Sequence, residues 1–186
     1  MNLVLIDKEN FDVELDIRYS TRNNFIGKVI YKSPLCYLHN SAAIKLKKSI
    51  MLASQIGLKI KIFDGFRPLE AQNRLWDFMP NPNYVSSPTT GLLPHCRAVA
   101  LDLTLIDSKG DELDMGTEFD CFSIKSHHGA EGLTKNQISN RLNLAGIMFL
   151  SGWEFNPNEW WHYQLPNIKN YSVLNDENVI TKMLLD

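Results

Sequence analysis

Ala100-Leu101-Asp102-Leu103-Thr104-Leu105 is the stretch from which the fold is read. Leu101, Leu103 and Leu105 fall on one face of an extended chain, and Ala100, Asp102 and Thr104 fall on the other. The segment is therefore a strand, and Asp102 is an acidic group set within an otherwise strong one. Upstream, Leu58-Lys59-Ile60-Lys61-Ile62 alternates in the same way and predicts a second strand with one buried face. Downstream, Trp153 to Phe155 and Trp161 to Leu165 read as strands joined through Asn156-Pro157-Asn158.

Helices are read between these strands. From Ser41, a candidate N-cap, Ala42, Ala43, Leu46, Ile50 and Ala53 recur at helical spacing, and Gly57 supplies a stop. Pro68 suits the first position of a helix running to Phe78. Thr134-x-x-Gln137 is a capping-box pattern, after which Ile138, Leu142, Ala145 and Phe149 form a helical stripe ending near Gly152. Residues Met79 to Pro94 and Asp107 to Gly132 are long polar connections, and long loops of this kind carry lids and binding residues.

At 186 residues, with 44% hydrophobic and 22% charged residues, the chain is expected to form a single domain over residues 1–186. A net charge of −2 provides no electrostatic footprint for nucleic acid or an anionic membrane, so a small partner is expected. No window is apolar enough to span a bilayer, and Met1 to Ile6 has neither a basic region nor the apolar length of a leader. Cytoplasmic residence is the expectation. Cys36, Cys96 and Cys121 are odd in number and form no C-x-x-C pair, so neither a disulfide framework nor a cysteine metal site is indicated. Nothing in the sequence sets the oligomeric state.

Glu159-Trp160-Trp161-His162-Tyr163 carries the chemistry most in need of explanation. Residues three apart share a face in a turn or helix but diverge in a strand. If Glu159 and His162 act together, the chain must bend just before Trp161. By itself the pentapeptide favours a tryptophan-rich core strand with a solvated Glu and a hydrogen-bonded His. A hydrolytic zinc site needs three protein ligands and an open position. His95, Asp102 and His162 are candidates for the three, with Glu159 free to act on water. His95 and Asp102 lie seven apart, so a turn is required at Arg97-Ala98-Val99. Taken separately, each of these residues also has an ordinary structural reading. His127-His128 is a competing pair, expected to lie exposed in its loop, and His39 is read as structural at a helix start.

In order along the chain, Arg18-Tyr19-Ser20-Thr21 with Asn24-Phe25 and Gly27, Asp64-Gly65-Phe66-Arg67-Pro68, His95-Cys96-Arg97, Asp102-Leu103-Thr104-Leu105, Met115-Gly116-Thr117-Glu118-Phe119-Asp120, Ser126-His127-His128 and Glu159-Trp160-Trp161-His162-Tyr163 together resemble the VanX-like zinc peptidases, the D-alanyl-D-alanine dipeptidase family. The resemblance runs from about Arg18 to Tyr163. It implies an α+β domain of the DD-peptidase/hedgehog-like class, a central antiparallel sheet flanked by helices with the metal at the sheet edge. It further implies one Zn2+ held by His95, Asp102 and His162, Glu159 as catalytic base and Arg67 as oxyanion stabiliser. Tyr19 and Asp120 match residues that bind the free amino group of the dipeptide. Two departures stand out: Leu93 replaces a family serine two residues before the first ligand, and Ala98-Val99 replaces a glycine-serine pair. The expected function is zinc-dependent hydrolysis of D-alanyl-D-alanine or a similar small dipeptide, linked to peptidoglycan building blocks. The rivals are a D,D-carboxypeptidase or cell-wall peptidase, and a zinc-binding module without catalysis.

Overall fold

The computed structural model describes residues 3–185; Met1 and Asn2, which head the segment read for a leader, lie outside them. In chain order the elements are β1 (Leu3–Ile6), β2 (Val13–Leu15), β3 (Cys36–His39), α1 (Asn40–Gln55), β4 (Lys59–Asp64), α2 (Leu69–Phe78), β5 (Ala100–Ile106), α3 (Lys135–Ser151), β6 (Glu154–Phe155) and β7 (His162–Gln164). The class is α+β, as expected. The main sheet has the order β2-β4-β5-β7-β6, and β1 pairs with β3 in a separate two-stranded sheet. Every pair in the main sheet is antiparallel except β2 with β4, which is parallel. Buried apolar side chains from Ile6 to Leu184 form one core cluster.

All seven residues of β5 are buried, so its polar face is covered as well as its leucine face. Asp102 is covered by Arg67, His95 and His162. The ladder between β4 and β5 is regular from Lys59 opposite Ile106 to Ile62 opposite Leu103, then shifts so that Asp64 stands opposite Asp102. Unshifted, Phe63 would face Asp102 and Asp64 would point to the other side of the sheet. The extra residue of this bulge turns Asp64 onto the side of Asp102. Asp102 is in turn paired with His162, the last pair of the β5–β7 ladder. Asp64, Asp102 and His162 thus form a row across three adjacent strands.

The helix limits follow their capping chemistry. His39, not Ser41, caps α1, its ring Nδ1 accepting from the Ser41 N–H. Pro68 sits immediately before α2 rather than in its first turn. Thr134 and Gln137 form the expected capping box of α3, and Gly152 ends the helix with φ 92°. The apolar stripe read on α3 faces outward: Leu142 is 67% and Phe149 69% exposed. The buried face instead carries Asn140, Arg141, Leu144, Ile147, Met148 and Ser151. Arg141 is on the inside because its guanidinium donates to the carbonyls of Met115, Lys125 and His127, pinning both ends of the loop between them. A polar residue whose donors are all used inside defeats a reading in which polar means outward.

His127 and His128 are half-buried rather than exposed, and the Nε2 atom of each is buried without a hydrogen-bond partner among the described residues. The His128 ring packs on Phe155 at 4.7 Å. Burial, assisted by the neighbouring Arg141 cation, pushes its pKa from 6.5 down to about 4. Between these values the unfolded chain binds a proton that the folded chain refuses, so stability falls as pH drops from 6.5 towards 4. Substituting His128→Leu is expected to flatten this part of the acid limb, measured as the urea midpoint against pH; an unchanged slope would remove His128 as its source.

Candidate metal centre

Three ligand atoms, one each from His95, Asp102 and His162, lie within 4.8 Å of one another, and all three residues are buried. His95 enters on a 3₁₀ turn, His95–Arg97, that ends at Ala98 in the left-handed region with φ 56°. This is the turn required between His95 and Asp102, made by alanine without a glycine. His95 Nδ1 donates to the Gly65 carbonyl at 2.8 Å, which leaves the Nε2 lone pair free. His162 Nε2 donates to Gln164 Oε1 at 3.1 Å, which leaves the Nδ1 lone pair free. Gly65 has to be glycine here, since a Cβ would stand 2.7 Å from Cys36 Sγ and 3.2 Å from the Tyr37 carbonyl.

The two free ring nitrogens are 3.1 Å apart, and they lie 3.3 Å (His95) and 3.0 Å (His162) from the Asp102 carboxylate. Three electron-pair donors this close are placed as they would be around one shared cation. A tetrahedral zinc ion with bonds of about 2.1 Å would separate its ligands by roughly 3.4 Å. The observed spacings, the N2O donor set and the fixed tautomers therefore fit one zinc ion. Although burial alone would raise it, His95 and His162 hold the Asp102 carboxyl well below the usual carboxylate range.

Arg67 lies three residues after Asp64, the last residue of β4. Its Nε and Nη2 both lie 2.9 Å from Asp64 Oδ2, its Nη1 donates to Gln72 Oε1 at 3.0 Å, and Nη2 stands 3.6 Å from Asp102 Oδ2. Asp64 also accepts from the Tyr31 hydroxyl at 3.1 Å. Of the five guanidinium N–H groups, this leaves two for the cavity that Arg67 lines.

The chain bends where the pentapeptide required it. Glu159 N–H donates to the Asn156 carbonyl and His162 N–H to the Glu159 carbonyl, each at 3.3 Å. The Glu159 carboxylate accepts from Asn156 Nδ2 at 2.8 Å. Burial pushes its pKa up to about 7, against the pull of His162 and Arg67. Trp160 and Trp161 are buried packing residues, and Trp160 Nε1 donates to Thr117 Oγ1 at 2.8 Å. Opposite this turn, the Tyr19 hydroxyl donates to Asp120 Oδ2 at 3.1 Å, with Asp120 in the left-handed region at φ 59°.

One cavity of about 370 Å³ is lined by Tyr19, Arg67, His95, Asp102, Asp120, Glu159 and His162. All seven residues singled out in the sequence therefore meet in one place. Leu93 also lines it, buried and at φ 55°. Asp64, Gln72, Asn156 and Gln164, which orient the others, were not given roles from sequence. Asp64 opens a motif that was read and Asn156 opens the connection before another, but only the bulge and the turn reveal what they hold. Cys96 is a buried thiol pointing to no ligand role, and His127 and His128 lie outside the cavity lining.

The family model described as D-ala-D-ala dipeptidase matches residues 1–179. The D-alanyl-D-alanine dipeptidase of Escherichia coli is 40% identical over 166 residues, covering 89% of this chain and 86% of that protein. The enzyme of the same name from Enterococcus faecium is 32% identical over 190 residues, covering 89% of this chain and 92% of its own length. Among solved structures, VanYB in complex with D-alanine-D-alanine matches with a TM-score of 0.47 and 16% identity, over 86% of this chain and 81% of that one. On the family match and the 40% identity, the chain belongs to the D-Ala-D-Ala dipeptidase family and is a metallopeptidase.

Proposed function

We propose that this chain is a zinc-dependent dipeptidase that hydrolyses D-alanyl-D-alanine or a closely similar small free dipeptide, and that residues 1–186 act as one cytoplasmic catalytic domain. The observation that carries this reading is the convergence of the donor set, an unligated carboxylate, an anchored arginine and a Tyr–Asp pair on one cavity. A volume of about 370 Å³ is at the small end of ligand pockets, which run from roughly 300 to 1,000 Å³, and suits a compact substrate.

His95, Asp102 and His162 would hold the zinc. When bound, zinc polarises the scissile carbonyl and makes water a better nucleophile near neutral pH. Glu159 takes the proton from the attacking water and passes it to the departing amine. Arg67 donates to the carbonyl oxygen as negative charge grows on it; Asp64 and Gln72 hold the guanidinium so that little reorganisation is needed. Asp120, with the Tyr19 hydroxyl beside it, receives the substrate ammonium. Leu93 supports a reading with altered affinity rather than lost chemistry: it cannot accept a hydrogen bond from that ammonium, but it is not one of the groups assigned to move protons.

Glu159→Ala is expected to keep one zinc per chain, measured by elemental analysis, while kcat for D-Ala-D-Ala falls about 10²–10⁴-fold. Loss of the metal together with activity would make Glu159 a ligand instead. Wild type that retains zinc and turns over neither D-Ala-D-Ala nor L-Ala-L-Ala would refute the dipeptidase reading. Equal cleavage of N-acetyl-D-Ala-D-Ala would favour the carboxypeptidase rival and remove the ammonium role of Asp120.

Arg67→Lys keeps a cation over the buried Asp64 but loses the fork that reaches Gln72. Its kcat is expected to drop on the order of 10²–10³-fold, with zinc content and thermal midpoint close to wild type. A change confined to KM would assign Arg67 to substrate binding alone.

A further inference from the structure

We propose that Phe25, Tyr84 and Phe122 form a clasp that closes the cavity beyond Asp120 and limits the substrate to two residues, refusing peptides that carry a further residue on the amino side. The inference rests on the dipeptidase reading and names what sets its length limit.

The three rings come from three separate segments: the loop after the Arg18–Ser20 turn, the loop between α2 and β5, and the loop pinned by Arg141. All three line the same cavity as the metal donors. Phe122 is the centre of the group. Tyr84 stacks on it with ring centroids 4.9 Å apart at 24°, and Phe25 meets it at 5.0 Å and 67°. Phe25 also stands edge-on to Tyr19 at 6.3 Å, and Phe78 backs it at 6.0 Å. Among the described residues, no hydrogen bond joins residues 21–28, 79–94 and 121–125 to one another, so the ring contacts close this end without one.

The position of the clasp gives it a purpose. Phe122 lies two residues beyond Asp120, and Phe25 packs against the tyrosine whose hydroxyl is bonded to Asp120. A dipeptide ends in an ammonium at Asp120 and needs no space past it. A tripeptide placed for cleavage of its last bond would present an amide N–H at Asp120, and its next residue would have to pass where the rings meet. Charge recognition and length exclusion are therefore separate properties of neighbouring groups.

The test compares release of D-alanine from D-Ala-D-Ala and from Gly-D-Ala-D-Ala. Wild type is expected to favour the dipeptide by a hundredfold or more in kcat/KM. Phe122→Ala and, independently, Tyr84→Ala and Phe25→Ala are expected to raise kcat/KM for the tripeptide at least tenfold, either alone or when combined with Asp120→Asn, which removes the charge that disfavours an amide. Asp120→Asn alone should not admit the tripeptide. Using three single variants on three loops protects the test against one that fails to fold. The clasp is overturned if wild type cleaves the tripeptide as fast as the dipeptide, if Asp120→Asn alone admits it, or if no ring removal raises its cleavage in either background. Wild type that cleaves neither peptide removes the dipeptidase reading and the clasp with it.

Discussion

Asp102 is a carboxylate 3% exposed, inside a strand that is buried on both faces. An ion in that position is tolerable only when opposite charge and hydrogen-bond donors surround it. Here His95 and His162 turn ring lone pairs toward a point that a bound cation would occupy, and one edge of Arg67 supplies positive charge directly. Each of those is fixed from behind by a neutral or anionic acceptor: Gly65 O, Gln164 Oε1 and Asp64 respectively. Removing one partner of a buried ion pair costs about 3–5 kcal/mol because the other is left uncompensated. The same arrangement that keeps the strand foldable therefore leaves two ring lone pairs and a carboxylate facing one point, and a metal site follows from how the charge is neutralised.

The bulge in β4 makes this neutralisation possible. Without it Asp64 would point to the other side of the sheet, and Arg67, three residues later, would have no buried anion to hold its fork. The loop layer is attached to the same frame by other means. Arg141 ties the Met115, Lys125 and His127 carbonyls to α3, and Trp160 reaches Thr117, which shares a hydrogen bond with Ser126. Because Trp160 follows Glu159 directly, the turn carrying the proposed base and the loop carrying Asp120 are held to each other as well as to the core.

Where a signal is local in the chain, the sequence carries it. The β5 strand and the Thr134–Gln137 box rest on neighbouring residues and are present, while the turn between His95 and Asp102 and the bend before Trp161, read only as conditions of a shared site, are present too. The ordered motifs brought Tyr19, Arg67 and Asp120 into the same site, which spacing alone had not done. The reading failed where a residue's environment comes from distant chain. The phase of α3 was misjudged because the partners of Arg141 are carbonyls 14 to 26 positions away. His127 and His128 were placed in solvent because nothing local indicates that Phe155 and Tyr163 lie against the second ring. The roles of Gln72 and Gln164 depend on contacts that only the closed fold creates, and no residue pattern announces a bulge at Phe63.

The loop between α2 and β5 reads as a long connection of the kind that carries lids or binding residues, and its hydrogen bonds show which part of it is anchored. Gln72 accepts from Arg67 and donates to the Ser86 carbonyl at 2.7 Å, and Ser86 Oγ accepts from the Leu93 N–H at 3.3 Å. Gly91 lies so close to this corner that a Cβ would fall 2.2 Å from Ser86 Oγ and 2.6 Å from the Ser87 carbonyl, so the backbone packs against itself there. The base of the loop is thus continuous with the support of the proposed oxyanion donor. Moving the whole loop away would leave the Gln72 amide unpaired and loosen its hold on Arg67. Tyr84, farther out, is held by ring stacking on Phe122, which can part without breaking a hydrogen bond. The aromatic end is therefore held across the cavity by ring contact, and the segment from Ser86 to Leu93 is a wall tied to Arg67 through Gln72. In that wall Leu93 sets an apolar side chain where the family pattern has a serine, and because it is the Leu93 backbone N–H that donates to Ser86 Oγ, the anchoring of Arg67 does not depend on this side chain.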